Sequence, residues 1–224
     1  MSDDHEHHDH DHHHGHHNDQ GIAGALRYLR WAPSMWRSDI NSAVIDLVDP
    51  KPGERVVDVG AGMGAGTVVA SSAGASVVAV EPTPFLRAVL QIRRGLRRDR
   101  KRIEVIDATA EDLRLDDRSI DAIWAVNTMH HWTDPERGVA EIARVLRPGG
   151  RVVLVDEDFT DPTHPEFDKW GPGEGDGEHH GFTMVEARRM GELLTAAGLE
   201  EVDASNRKIA GRPVIAIDAK APTG

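Results

Sequence analysis

The chain has 224 residues, enough for one domain with little room for a second, and sets 38 acids against 26 lysines and arginines for a formal charge of −12. Its lack of cysteine excludes disulfides, thiolate zinc sites and a cysteine nucleophile. The lack of any long apolar run, or of an apolar segment behind a basic start, argues against a membrane span or secretory signal; the negative balance disfavours non-specific nucleic-acid binding, so a soluble, cytoplasmic protein without nucleic-acid or membrane partners is expected.

Residues 1–20 hold six acids, nine of the 14 histidines and no lysine or arginine. Without large side chains to bury, this tract is expected to be disordered. Its interleaved imidazoles and carboxylates suit Zn²⁺ or Ni²⁺, and one reading makes the protein a metal handler with the tail as its working part. Residues 21–224 carry −6 and read as a single domain. Within it, 21–52 forms a helical N-terminal lid. Ile22, Leu26 and Leu29 mark a short helix ending before Pro33. Ser38 caps a second helix carrying Ile40, Val44, Ile45 and Val48, which Pro50 and Pro52 stop.

Short β-rich runs then alternate with helical stretches. Strands are predicted at Arg55–Val59, Ser76–Val80, Arg102–Ile106, Ile120–Val126 and Arg151–Val155, with helices at Ala65–Ser72, Pro84–Arg98 and Pro135–Leu146. Thr83-Pro84 and Asp134-Pro135 each place a capping side chain before a proline at the first helical position. Strands this apolar, spaced by helices, imply an α/β fold with a doubly wound, mostly parallel sheet covered on both faces. The seven bases of Arg93–Arg102 read as a solvated basic face near a helix end. Residues 156–182 hold nine acids, five glycines and three prolines without helical or strand period, as a functional or a disordered loop does, and are read as an acidic substrate loop. A helix over Met184–Ala197 and strands near Glu201–Ser205 and Pro213–Asp218 complete the chain.

Val56-Val57-Asp58-Val59-Gly60-Ala61-Gly62-Met63-Gly64 runs a strand into glycines and then a helix, so bare backbone can approach a ligand that side chains would exclude. Nicotinamide, flavin and S-adenosylmethionine sites all use such a loop. Three neighbours separate them. Asp58, before the first glycine, suits an amino-bearing or cationic ligand and repels a pyrophosphate. Glu81 ends the second strand, where a carboxylate accepts both ribose hydroxyls. Asp107-Ala108-Thr109-Ala110-Glu111-Asp112-Leu113 follows the third strand, placed to border an adenine ring.

With these features in strand order, the sequence resembles the class I S-adenosylmethionine-dependent methyltransferases of the small-molecule branch. The resemblance runs over residues 44–155 and rests on the Asp-x-Gly-x-Gly-x-Gly loop at 58–64, Glu81, Ala110-Glu111-Asp112-Leu113, Ile120-Asp121-Ala122, Asn127, His130-His131, and Ala143-Arg144-Val145-Leu146-Arg147-Pro148-Gly149-Gly150. It implies a seven-stranded Rossmann-like sheet with an antiparallel final strand. It also implies that Asp58 and the backbone of Gly60, Gly62 and Gly64 hold the methionine end of S-adenosylmethionine, that Glu81 holds the ribose, that Thr109 and Ala110 border the adenine, and that Asn127 belongs to the cofactor site. Thr109 stands where many members carry Asp; Asp107, two residues earlier, is the candidate to supply that carboxylate.

Methyl transfer needs alignment and, for a hydroxyl nucleophile, a base. Asn127-Thr128-Met129-His130-His131-Trp132 follows the fourth strand but lacks the Pro-Pro-Tyr that many N-methylating relatives place after Asn. Histidine titrates near neutrality, so His130 or His131 is the candidate base of an O-methyl transfer. Trp31, Trp36, Glu157 and Trp170 would contact a small hydroxylated acceptor such as a sugar, and Asp156, Glu157 and His164 form a weak candidate set for a divalent metal such as Mg²⁺. A homodimer is compatible with the pattern. The rival enzyme class is an NAD(P)-dependent oxidoreductase, whose short-chain form wants Tyr-x-x-x-Lys; the only tyrosine, Tyr28, precedes the glycine loop.

Overall fold

Every second residue of Val56–Val59 points to one face of a sheet, and both faces are buried, so neither can be left to water. In the computed structural model, which describes Trp36, residues 38–170 and 186–224, this strand lies inside a seven-stranded sheet, next to its central strand. In chain order the elements are α1 (Asp39–Val48), β1 (Arg55–Val59), α2 (Ala65–Ser72), β2 (Ser76–Val80), α3 (Pro84–Gly95), β3 (Ile103–Ile106), β4 (Ile120–Val126), α4 (Pro135–Val145), β5 (Leu146–Glu157), α5 (Phe167–Trp170), α6 (Ala187–Ala196), β6 (Glu200–Ile209) and β7 (Arg212–Lys220). The strand order is β3-β2-β1-β4-β5-β7-β6, with β7 antiparallel to both neighbours and the other pairings parallel. This is the doubly wound sheet expected from the sequence.

Two apolar layers hold it. Val57, Val59, Ile123, Leu154 and Ile217 face one side, under Val139 and Ile142 of α4 and Met190 and Leu194 of α6. Val56, Val77, Trp124, Val153 and Val155 face the other, under Ile40, Val44, Ile45 and Val48 of α1. Two helix starts follow capping chemistry: Ser38 Oγ accepts from Asn41 N–H at 3.3 Å, and Asp134 Oδ1 accepts from Arg137 N–H at 3.0 Å ahead of Pro135; Thr83 holds the expected cap position before Pro84 but its side chain makes no capping bond.

Boundaries differ where local signals are weak. α3 ends at Gly95, short of the expected Arg98, and a 3₁₀ turn over Arg100–Arg102 feeds β3. β5 begins at Leu146 rather than Arg151, because Pro148-Gly149-Gly150 continues in extended backbone; it also takes in Asp156 and Glu157, which the sequence reading gave to a loop. β6 and β7 exceed their predicted lengths and meet at Ala210-Gly211, both at positive φ, as a tight hairpin requires. The His-rich tail, the helix at Ile22–Leu29, Trp31, the glycine-rich half of 156–182 and the expected start at Met184 lie outside the described residues.

Candidate functional site

The strand order reverses between β1 and β4, and in open α/β sheets the crevice at the carboxyl ends of such strands is where ligands bind. The loops after β1, β2, β4 and β5 converge there through hydrogen bonds that cross the sheet edge.

The glycine loop takes the backbone that its residue types allow. Gly60, Gly62 and Gly64 have φ of 68°, 56° and 81°. A Cβ on Gly60 would stand 2.3 Å from Thr128 Oγ1, so the loop after β1 lies flush against the turn after β4. A Cβ on Gly64 would stand 2.3 Å from Leu90 Cδ1, which packs the start of α2 against α3. Gly62 has nothing within 4 Å of that position: there the loop is bare and open.

Glu81 is buried at the tip of β2. Its Oε2 accepts from Gly62 N–H and its Oε1 from Thr83 N–H, both at 2.7 Å. The carboxylate therefore ties the glycine loop to β2 and retains lone pairs for two further hydroxyl donors. Asp58 lies on the α1 side of β1, only 3% exposed, with Oδ2 accepting from Thr67 Oγ1 at 2.5 Å. It sits deeper than the pocket-facing carboxylate expected from the sequence. Burial pushes it up to about 7, with Thr67 and the nearby Trp124 indole opposing that shift and Glu81 adding to it. A carboxyl raised in the folded state keeps its proton while the unfolded chain loses it, so stability falls as pH rises from about 4 to about 7 and levels off above. Asp58→Asn should flatten that slope and raise the Tm of the ligand-free protein by several degrees at pH 8, read by thermal melts across pH.

After β3, Thr109 and Asp112 form an isolated bridge, and Ala110 is buried. Asp107 is exposed and paired with Arg87 at 3.0 Å, which also binds the Glu81 and Pro82 carbonyls. Glu111 accepts from Thr133 N–H at 2.8 Å and Asp134 N–H at 3.4 Å, so it braces the start of α4.

The turn after β4 is organised by one side chain. Asp156, buried at the end of β5, accepts from the N–H groups of Thr128, Met129 and His130 at 2.9, 3.3 and 3.0 Å. Its Oδ2 also meets His130 Nδ1 at 2.8 Å. A carboxylate only accepts, so this pair puts the proton on Nδ1 and the basic lone pair on Nε2. His131 keeps an exposed edge, with its ring 4.1 Å from that of His130. Burial of the ring, reinforced by His130 and opposed by Asp156, holds His131 below its ordinary pKa. The geometry thus separates two residues that the sequence ranked equally: His130 has the orienting carboxylate. Asp156 in that role was missed, because its partners lie 26 to 28 residues away.

Three expectations are corrected here. Asn127, at φ 53°, turns its amide across to β5: Nδ2 donates to Glu157 Oε1 and Oδ1 accepts from Glu157 N–H, both at 2.8 Å. Asn127 therefore shapes the turn and does not present its amide to a ligand. The set Asp156, Glu157 and His164 does not form a metal site. Glu157 accepts from Arg212 at 2.6 Å and His164 at 2.9 Å, Asp156 is saturated by the β4 turn, and the described residues include no cluster able to hold a metal. Burial alone would push Glu157 up, yet Arg212, Asn127 and His164 hold it below the usual carboxylate range. Glu157 is accordingly a structural anchor for the segment after β5, not an acceptor contact. Trp36 stacks under the Arg93 guanidinium, 4.3 Å from its ring centre, while Arg93 donates to the Met63 and Trp36 carbonyls at 2.9 Å. That places Trp36 beside the glycine loop. Trp31 and the Trp170 side chain lie outside the described residues.

Comparison with known proteins bears on the same segments. Residues 57–154 match a methyltransferase domain family. An uncharacterized methyltransferase of Mycobacterium tuberculosis is 43% identical over 111 residues, covering 50% of this chain and 43% of that protein. The demethylmenaquinone methyltransferase of Clavibacter sepedonicus is 34% identical over 131 residues, covering 58% of this chain and 50% of its own. The chain thus spans about half the length of the curated relatives it matches. Among solved structures, phosphoethanolamine N-methyltransferase 2 of Haemonchus contortus, in complex with S-adenosylhomocysteine, shares the fold at a TM-score of 0.68 and 18% identity, covering 81% of this chain and 52% of that one.

Proposed function

We infer that this chain, which belongs to the class I S-adenosylmethionine-dependent methyltransferases through its residues 57–154, binds S-adenosylmethionine at the carboxyl edge of its sheet and methylates a hydroxyl-bearing small molecule. The residues present fit that cofactor. The bare, open backbone at Gly62 lets a ligand approach without a side chain in the way. Glu81 is held at the β2 tip, where it can accept a ribose diol, and Thr109 and Ala110 stand beyond it as the adenine border. When bound, the sulfonium supplies an electrophilic methyl carbon.

The observation that carries the reaction class is the His130–Asp156 pair, on a turn whose Thr128 packs against Gly60. The acceptor hydroxyl gives its proton to His130 Nε2, Asp156 stabilises the imidazolium that forms, and the oxygen so freed takes the methyl group. Alignment by the surrounding loops supplies the remainder. On a quinol the same deprotonation also activates the ring carbon beside the oxygen, and the similarity to a demethylmenaquinone methyltransferase supports a quinol over a sugar as the acceptor class.

The test is transfer from a deuterium-labelled methyl donor to reduced and oxidised forms of the same naphthoquinone, read by mass spectrometry, with the position assigned by NMR. A gain of one labelled methyl on the quinol and none on the quinone is expected. Transfer to amines with none to any hydroxyl-bearing acceptor would overturn the reading.

A further inference from the structure

We propose that the outer face of α3, with the turn that follows it, docks on the surface of an anionic lipid bilayer. The helix buries Leu86, Leu90 and Arg93 inward. Its outer face is apolar where water should select polar groups. Ile92 and Leu96 are 66% and 81% exposed, the two most exposed large hydrophobics among the described residues, and they stand one helical turn apart. Exposed Ala88 extends the stripe by another turn.

Cations surround this stripe. Residues 93–102 contain seven bases and one acid, in a chain whose net charge is −12. Four of the seven are engaged by the fold: Arg93 by the Met63 and Trp36 carbonyls, Arg94 by those of Arg100 and Ile103, Arg97 by Asp99, and Arg100 by the Arg97 carbonyl at 3.4 Å. Arg98, Arg100, Lys101 and Arg102 are exposed and have no carboxylate partner among the described residues. Beside them lies a groove of about 570 Å³ whose polar lining includes Gln91, Arg94, Lys101, Arg102 and one acid, Glu104.

Aliphatic side chains among uncompensated bases match a bilayer interface, where the alkyl groups enter the headgroup region and the charges meet anionic lipid. Single-stranded nucleic acid would call for stacking aromatics instead, and this face exposes none. No described helix is long and apolar enough to cross a membrane, so the attachment is to a surface. α3 starts just after Glu81 and runs back toward the opposite edge of the sheet, so a bilayer along it flanks the candidate site without covering it. A bilayer contact here departs from the sequence expectation of a solvated basic face and of no membrane partner. It stands whatever acceptor the enzyme uses.

The test is co-sedimentation of the full chain with vesicles of phosphatidylglycerol and phosphatidylcholine, against phosphatidylcholine alone, at about 0.1 M salt, where screening still permits surface attraction. Binding to the anionic vesicles only, weakening with added salt, is expected. Arg98→Glu/Arg100→Glu/Lys101→Glu should weaken it about a hundredfold, at roughly fivefold per base, and Ile92→Ser/Leu96→Ser about tenfold or more. Both variants should keep the wild-type Tm, since every substituted side chain is exposed. Absence of binding to anionic vesicles would overturn the proposal. So would binding that survives Ile92→Ser/Leu96→Ser and is matched by single-stranded RNA, which would assign the patch to nucleic-acid phosphates.

Discussion

His130→Ala should lower turnover by about two to four orders of magnitude, the usual contribution of a positioned base, while S-adenosylhomocysteine affinity changes by less than about threefold. The expectation rests on a division of labour at the carboxyl edge. Asp156 sets both the turn and the tautomer of His130, and the cofactor residues stand on other strands. Asp156→Asn should fall in the same range through a different failure, because an amide can donate to Nδ1 and so reverse the tautomer. It should also lose stability, since the oxygens of Asp156 accept three backbone N–H groups. His131→Ala, which removes a ring that burial holds below its ordinary pKa, should cost about tenfold or less. Single-turnover rates separate these outcomes from changes in product release. Wild-type turnover in both His130→Ala and His131→Ala would remove the base from the mechanism.

The second large effect belongs to Gly60. An alanine there would meet Thr128 Oγ1 at 2.3 Å and Thr128 Cβ at 2.7 Å, and would hold φ 68° at a strain of about 1–2 kcal/mol. Either the glycine loop or the turn carrying His130 must move, and both are walls of the same crevice. Gly60→Ala should therefore weaken S-adenosylhomocysteine binding about a hundredfold or more and lower the Tm. Thr128→Gly in the same background removes the clash but not the strain, so partial recovery is expected. Gly62→Ala is the informative contrast. Its Cβ meets no atom of the protein, so the ligand-free fold should lose only about 1 kcal/mol. Binding should nonetheless fall steeply if the space above Gly62 is where the ligand lies. Thermal melts with and without S-adenosylhomocysteine read both quantities.

The fold was legible because its signals are local. Val56–Val59 and Ser76–Val80 are short apolar runs bounded by turn residues, and Thr83-Pro84 and Asp134-Pro135 are helix starts; all four fall where expected. The candidate site was legible to the same depth. The glycine loop and Glu81 carry their chemistry in their own spacing, and the structure joins them through the Gly62–Glu81 bond. Long-range hydrogen bonds were not legible. Nothing near Asp156 in the sequence says that it holds Thr128–His130, nothing near Asn127 says that its amide is taken by Glu157, and nothing near Glu157 announces Arg212. Those same bonds turned an apparent metal set into an anchor. Side-chain direction was the other gap: Asp58 was expected to face the ligand, yet it packs toward α1 and α2, with Thr67 as its partner.

Calorimetric titration of the purified full chain with S-adenosylhomocysteine, after any co-purified nucleoside has been stripped, tests the central claim most directly. One equivalent should bind, and Glu81→Ala should weaken that binding at least tenfold without unfolding the protein. A flat titration of the stripped, folded wild type would contradict the account.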